Sequence, residues 1–118
     1  MKIDFDELKL VLNAIQTKTG TVSSFELGPN DCEDKISREK LYFYLELLED
    51  DNLIEVNDRI EQTRSIVVKR MTMSGFRTLE AMNNDTIWNK IKGQVVNIGI
   101  EGLKQIPSLA ISLLVTKG

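Results

Sequence analysis

Arg38 and Lys40 open a stretch, residues 37–56 (SREKLYFYLELLEDDNLIEV), that reads as a helix, a tight turn and a strand, and Arg59, Gln62 and Arg64 follow in a polar segment just beyond it. These residue types suit nucleic-acid contact: Lys and Arg neutralise phosphates, while Arg, Lys, Asn and Gln donate to base edges. The same helix carries Glu39, Glu46, Glu49, Asp50 and Asp51, which repel phosphate, so only its first turn could enter a groove. The plain alternative is that these charges solvate a helix face. Phe43, opposite the apolar stripe, and Leu47 on the neighbouring face mark a second candidate surface, for a protein partner or a second copy. The competing reading is that the terminal helices fold back over both.

Catalytic chemistry finds little foothold. The 118 residues contain no histidine and one cysteine, Cys32, which removes an internal disulfide and the usual zinc, haem and thiol–imidazole chemistries. Asp31, Glu33 and Asp34 follow a Gly-Pro-Asn turn without the ligand order of a calcium loop, and Trp88 reads as a core anchor. The expectation is a non-enzyme without metal, cofactor or small-molecule ligand.

The elements that must position these residues follow from periodicity. Leu41, Leu45 and Leu48 recur at i, i+4 and i+7 with Tyr44 beside them, which makes one helical stripe. Ser37 suits its N-cap, and Asn52 tolerates the left-handed conformation that ends a helix. Before it, residues 4–16 predict a helix with Phe5, Leu8, Val11, Leu12 and Ile15 inside, begun by an acidic capping box of Asp4 and Glu7. Residues 21–27 predict a short strand, and residues 31–35 leave room for one helical turn, with Ile36 as an apolar plug. After Val56, the polar run NDRIEQTRS predicts the tip of a hairpin that returns as residues 65–71, with Ile66 and Val68 on one side. Further helices are predicted with Phe76, Leu79 and Met82 inside; with Ile87, Trp88, Ile91, Val95 and Ile98 at helical spacing; and over residues 108–115, with Pro107 at its first turn.

A chain of this length with 42% hydrophobic residues forms one domain able to bury a core. The net charge of -3 is unevenly spread: residues 1–58 hold 6 Lys/Arg against 14 Asp/Glu, and residues 59–118 hold 9 against 4. An acidic chain can still bind DNA through a local basic face, because attraction is local within a Debye length of about 8 Å. The acidic N-terminus is unlike a signal peptide and no apolar run approaches the roughly 18 residues of a membrane span, so a cytoplasmic location without membrane partners is expected.

The string YLELLEDDNLIEV (44–56), the polar hairpin, MTMSGFRTLEAMNNDTIWNK (71–90) and a Pro-Ser-Leu terminal helix together resemble an uncharacterised bacterial and prophage winged-helix family, domain of unknown function 2513. The most specific part pairs a Thr-x-x-Gly helix entry, Thr72 and Gly75, with residues 84–90. Tyr44 stands where such relatives often carry histidine, so no role of that histidine transfers. The resemblance implies a fold and a phage-associated setting, not an activity.

The fold expected is α+β: a single winged-helix domain over residues 1–118, with 1–71 the core and wing and 72–118 a C-terminal helical extension. The expected function is a DNA-binding transcription regulator of phage or mobile-element origin, with Arg38 and Lys40 at the helix front and Arg59 and Arg64 on the wing meeting double-stranded DNA. The alternative is a protein-interaction adaptor using Phe43 and Leu47 without DNA. Dimerisation through the C-terminal helices would present two wings to a two-fold site; simple core closure by those helices is the competing reading.

Overall fold

The computed structural model describes residues 3–63 and 65–116. Within them the order is α1 (Phe5–Lys18), β1 (Phe25–Glu26), a 3-10 turn (Pro29–Cys32), α2 (Arg38–Asp50), β2 (Ile54–Ile60), a 3-10 turn (Glu61–Thr63), β3 (Ser65–Met71), α3 (Met73–Asn83), α4 (Asp85–Ile98), a 3-10 turn (Gly99–Glu101) and α5 (Gly102–Thr116). The described residues thus form an α+β architecture of five α-helices and one small antiparallel sheet, ordered β1-β3-β2.

Local chemistry explains most of the boundaries. Asp4 caps α1 by accepting from the backbone N–H groups of Asp6 and Glu7, and Ser37 caps α2 by accepting from that of Lys40. Asn52 takes the left-handed conformation (φ 61°) that ends α2, while the Leu53 N–H returns to the Leu48 carbonyl at 2.9 Å. Between α1 and α2 the helical structure is limited to the single 3-10 turn, with Ile36 buried behind it. The predicted strand over 21–27 contracts to two residues paired with Val68 and Val67.

The β2–β3 hairpin departs from its expected form. Its strands pair through Ile60↔Ser65, so Asn57 to Ile60 belong to the sheet and only the segment from Glu61 forms the tip. Two register shifts interrupt the ladder, Lys69 being extra on β3 and Asn57 extra on β2. Each unpaired residue restarts the alternation of faces. Ile54 and Met71, Val56 and Val68, and then Arg59 and Ile66 consequently share the side that faces the core.

The C-terminal helices differ as well. Pro107 lies inside α5, not in its first turn, because the helix begins at Gly102 and buries Leu103 and Ile106 completely. Proline removes one helical hydrogen bond there, and the two anchored residues before it hold the helix through the defect. In α4, Ile98 is exposed although it keeps helical spacing, and in α3 Phe76 is only half-buried.

The segments are closed together at the start of α3. The Thr72 N–H donates to the Leu53 carbonyl at 3.0 Å, and the Thr72 hydroxyl donates to the Asn52 carbonyl at 2.7 Å while accepting from the Gly75 N–H at 3.1 Å. Gly75 sits so close to this turn that a Cβ would overlap the Leu53 carbonyl oxygen. This accounts for the Thr-x-x-Gly spacing: the threonine bonds to the turn and the glycine lets the helix approach it.

Replacing Gly75 with Ala should therefore cost about 1–3 kcal/mol or more by forcing backbone apart. Gly93, in α4 with open space where a Cβ would stand, should instead gain about 1 kcal/mol on replacement with Ala. Urea denaturation of the two variants checks both signs; equal effects would show that the close approach at Leu53 is not what demands glycine.

Candidate functional site

Of the residues singled out for nucleic-acid contact, Arg38, Lys40 and Arg59 meet on or beside α2. Its buried arc is broad, comprising Leu41, Tyr42, Tyr44, Leu45, Leu47 and Leu48. What remains outward is a strip of Glu39, Phe43, Glu46 and Asp50, acidic apart from one aromatic ring. The structure corrects the outer-surface placement of Leu47, which is 8% exposed and belongs to the core. Phe43 is half-buried, packed against the core with its ring 5.5 Å from that of Tyr44.

Three of the four candidate cations are described, and each is in a different situation. Arg38 is exposed in the first turn of α2 and takes part in none of the ion pairs among the described residues. Lys40 reaches the Glu7 carboxylate at 3.4 Å. Arg59, turned inward by the extra residue in β2, is held by Glu46 at 3.4 Å and by Glu49 in closer contact, both on α2. Arg64 lies outside the described residues. Burial, and after it the Glu61 carboxylate, pushes the Tyr42 phenol above its ordinary pKa of 10.0.

Ion pairing also resolves the uneven charge of the two halves. Of the seven described Lys and Arg residues beyond 58, five pair with acids from residues 1–58: Arg59 as above, Lys69 and Arg70 with Glu55, Lys92 with Asp6 and Lys104 with Asp51. Arg77 and Lys90 are the two without such a pair. The positive excess of the second half is therefore largely spent on internal complementarity, a distinction that sequence position alone does not carry.

The structure adds a polar centre that helix patterning had assigned to the core stripe. Tyr44, 0% exposed, accepts at its hydroxyl from the Asp4 N–H at 3.2 Å and donates to Glu7 Oε1 at 2.6 Å. The expected capping box is altered by it, since the Asp4 backbone donor is met by Tyr44 and Glu7 turns towards Tyr44 and Lys40. Burial, reinforced by the hydrogen bond to Glu7, pushes the phenol well above its ordinary range. Cys32 is buried at 1% exposure, and burial, with the charges of Asp31 and Glu33, raises its thiol to about 11. A thiol so protonated is a weak nucleophile. Among the described residues no group of three or more His, Cys, Asp or Glu is placed to hold a metal, and no helix is long and apolar enough to cross a membrane.

These features define a small α+β domain built around an acid-rich helix with a bulged hairpin clamped along one side. The chain belongs to the family described as Hypothetical protein (DUF2513), whose model matches residues 2–101 and so ends where α5 begins. It is similar to an uncharacterized protein of Haemophilus influenzae, 26% identical over 117 residues that make up 95% of this chain and 97% of that protein. No solved structure matches it.

Two outcomes test this arrangement. Tyr44→Phe should cost about 1–2 kcal/mol, because its hydroxyl, carried on α2, makes two hydrogen bonds to the start of α1. Burial raises the Cys32 thiol from its ordinary 9.0 to about 11 on folding, so its contribution is full below pH 9.0 and is lost as pH rises through the folded value. Stability should fall through that window in the parent chain and fall less steeply in Cys32→Ala, as measured by denaturant titration at successive pH values.

Proposed function

We propose that the chain is a single winged-helix domain, with residues 1–71 as core and wing and 72–118 as a C-terminal helical extension, that acts as a DNA-binding regulator of phage or mobile-element origin. The observation that carries this reading is the exposed Arg38 at the capped front of α2, in none of the ion pairs among the described residues. A helix front and a hairpin tip on one side of the molecule can straddle a duplex backbone. Lys40 is a second phosphate contact, since partly exposed ion pairs are worth only about 0–1 kcal/mol and a phosphate can replace the Glu7 carboxylate. Arg59 is withheld by its two carboxylates, and Arg64 is the remaining wing contact.

The rival reading, a protein-interaction adaptor that does not touch DNA, is favoured by the same Arg59 clamp together with the acidic strip of Glu39, Glu46 and Asp50. Its contact surface reduces to the half-buried Phe43, because Leu47 is covered.

Fluorescence anisotropy with random-sequence duplex DNA, from low to physiological salt, distinguishes the two. The regulator reading expects weak binding with a salt slope worth about two or three phosphates, strongly reduced by Arg38→Ala. The Glu46→Gln/Glu49→Gln variant, which frees Arg59, should steepen the slope by about one. Absence of binding by either protein at low salt would end the DNA reading and leave the adaptor.

A further inference from the structure

The outward face of α3 has three features that complement one another end to end. Met73, Arg77, Glu80 and Asn84 fall at i, i+4, i+7 and i+11, which places them on one exposed stripe. At the N-terminal end Met73 is 64% exposed, an isolated apolar knob. At the other end a groove of ≈ 440 Å³ opens between α3, α4 and α5, floored by Ala81, Ile87, Pro107 and Ala110 and edged by Ile111, itself 59% exposed. On the wall of the groove nearest the knob stand one cation and one anion, Arg77 and Glu80, neither in an ion pair among the described residues.

We propose that this face is a two-fold interface with a second copy of the chain. A two-fold contact uses the same patch on both partners, so the patch must complement itself. An antiparallel pairing of α3 helices centred between residues 78 and 79 sets Arg77 against the partner's Glu80 and, by symmetry, Glu80 against the partner's Arg77. The same register carries Met73 to the partner's Asn84, at the mouth of the groove beside Ile87. Each copy therefore supplies a knob for the other's groove, with two opposite-charge contacts at the centre. A patch with two cations at these positions would repel its own copy, and an acidic or basic foreign surface would satisfy only one of the two charges. The balanced pair selects a copy of this chain as the occupant. One helix face per partner is a small interface, so a reversible micromolar dimer is expected.

Sedimentation velocity over a concentration series tests the assignment, with circular dichroism to confirm folding of each variant. The parent chain should shift from monomer to dimer as concentration rises. Met73→Glu should abolish the shift, and Arg77→Glu and Glu80→Arg should each weaken it at least about tenfold, because each sets like charges together twice. Mixing the Arg77→Glu and Glu80→Arg proteins in equal amounts should restore dimers, since the mixed pair alone sets Glu against Arg at both contacts. That recovery depends on the partner's residues and cannot come from charge effects within one helix. A parent chain monomeric throughout, a dimer indifferent to Met73→Glu, or failure of the mixture to recover would overturn the proposal.

Discussion

The Leu53 carbonyl is the point at which the fold is closed. It accepts from Thr72 at the end of the hairpin, and it lies where any side chain on residue 75 would have to go. Asn52, the left-handed residue that stops α2, offers its own carbonyl to the Thr72 hydroxyl. Two segments some twenty residues apart thus share one small cluster of backbone groups. Through it the exit of α2, both ends of the β2–β3 hairpin and the direction of α3 are set together. A helix that starts in such close contact has little freedom in its first turn, and α4 and α5 are built onto it.

Charge makes the second set of connections, and it runs between the halves of the chain. Lys92 ties α4 to Asp6 in the first turn of α1, and Lys104 ties α5 to Asp51 at the end of α2. Asp51 is mostly buried; burial raises its carboxyl pKa while the Lys104 ammonium opposes the rise. Of the two pairs, the exposed Lys92–Asp6 contact contributes little by itself. Their larger effect is to cancel the field that a basic second half would otherwise present. The potential a DNA phosphate meets depends on which cations remain uncompensated, and along α2 the principal one is Arg38.

How far the sequence disclosed this depends on whether a signal was local. The caps at Asp4 and Ser37, the stop at Asn52 and the apolar stripes of α1 and α2 are encoded within a few residues and stand where spacing placed them, and of the two cap candidates for α3, Thr72 and Ser74, it is Thr72 that caps. Bulges are not encoded that way. Nothing in NDRIEQTRS marks Asn57 as the unpaired residue, yet that single insertion decides whether Arg59 faces solvent or α2. Leu47 shows a similar limit. A helix angle states where a side chain points, not what another element lays over it, so an outer-half position can still be 8% exposed. Proline tolerates the first turn of a helix, so Pro107 by itself signals a start, but the burial of Leu103 and Ile106 outweighs one lost hydrogen bond.

The two surfaces of α3 are linked by this hierarchy. Its inner side, Gly75, Thr78, Leu79 and Met82, is fixed by close backbone approach and burial, while its outer side carries an exposed methionine and an Arg and a Glu that pair with no charge among the described residues. Ordering a flexible surface on binding costs free energy that a small contact cannot recover. A rigid inner face reduces that cost, because the spacing between Met73 and the Ala81–Ile87 groove is already set before any partner arrives. The glycine and threonine at the start of α3 act on the interior alone, yet they determine how accurately the outer stripe is presented. Loss of the close approach at Leu53 would loosen core packing and outer register together, because the same helix carries both.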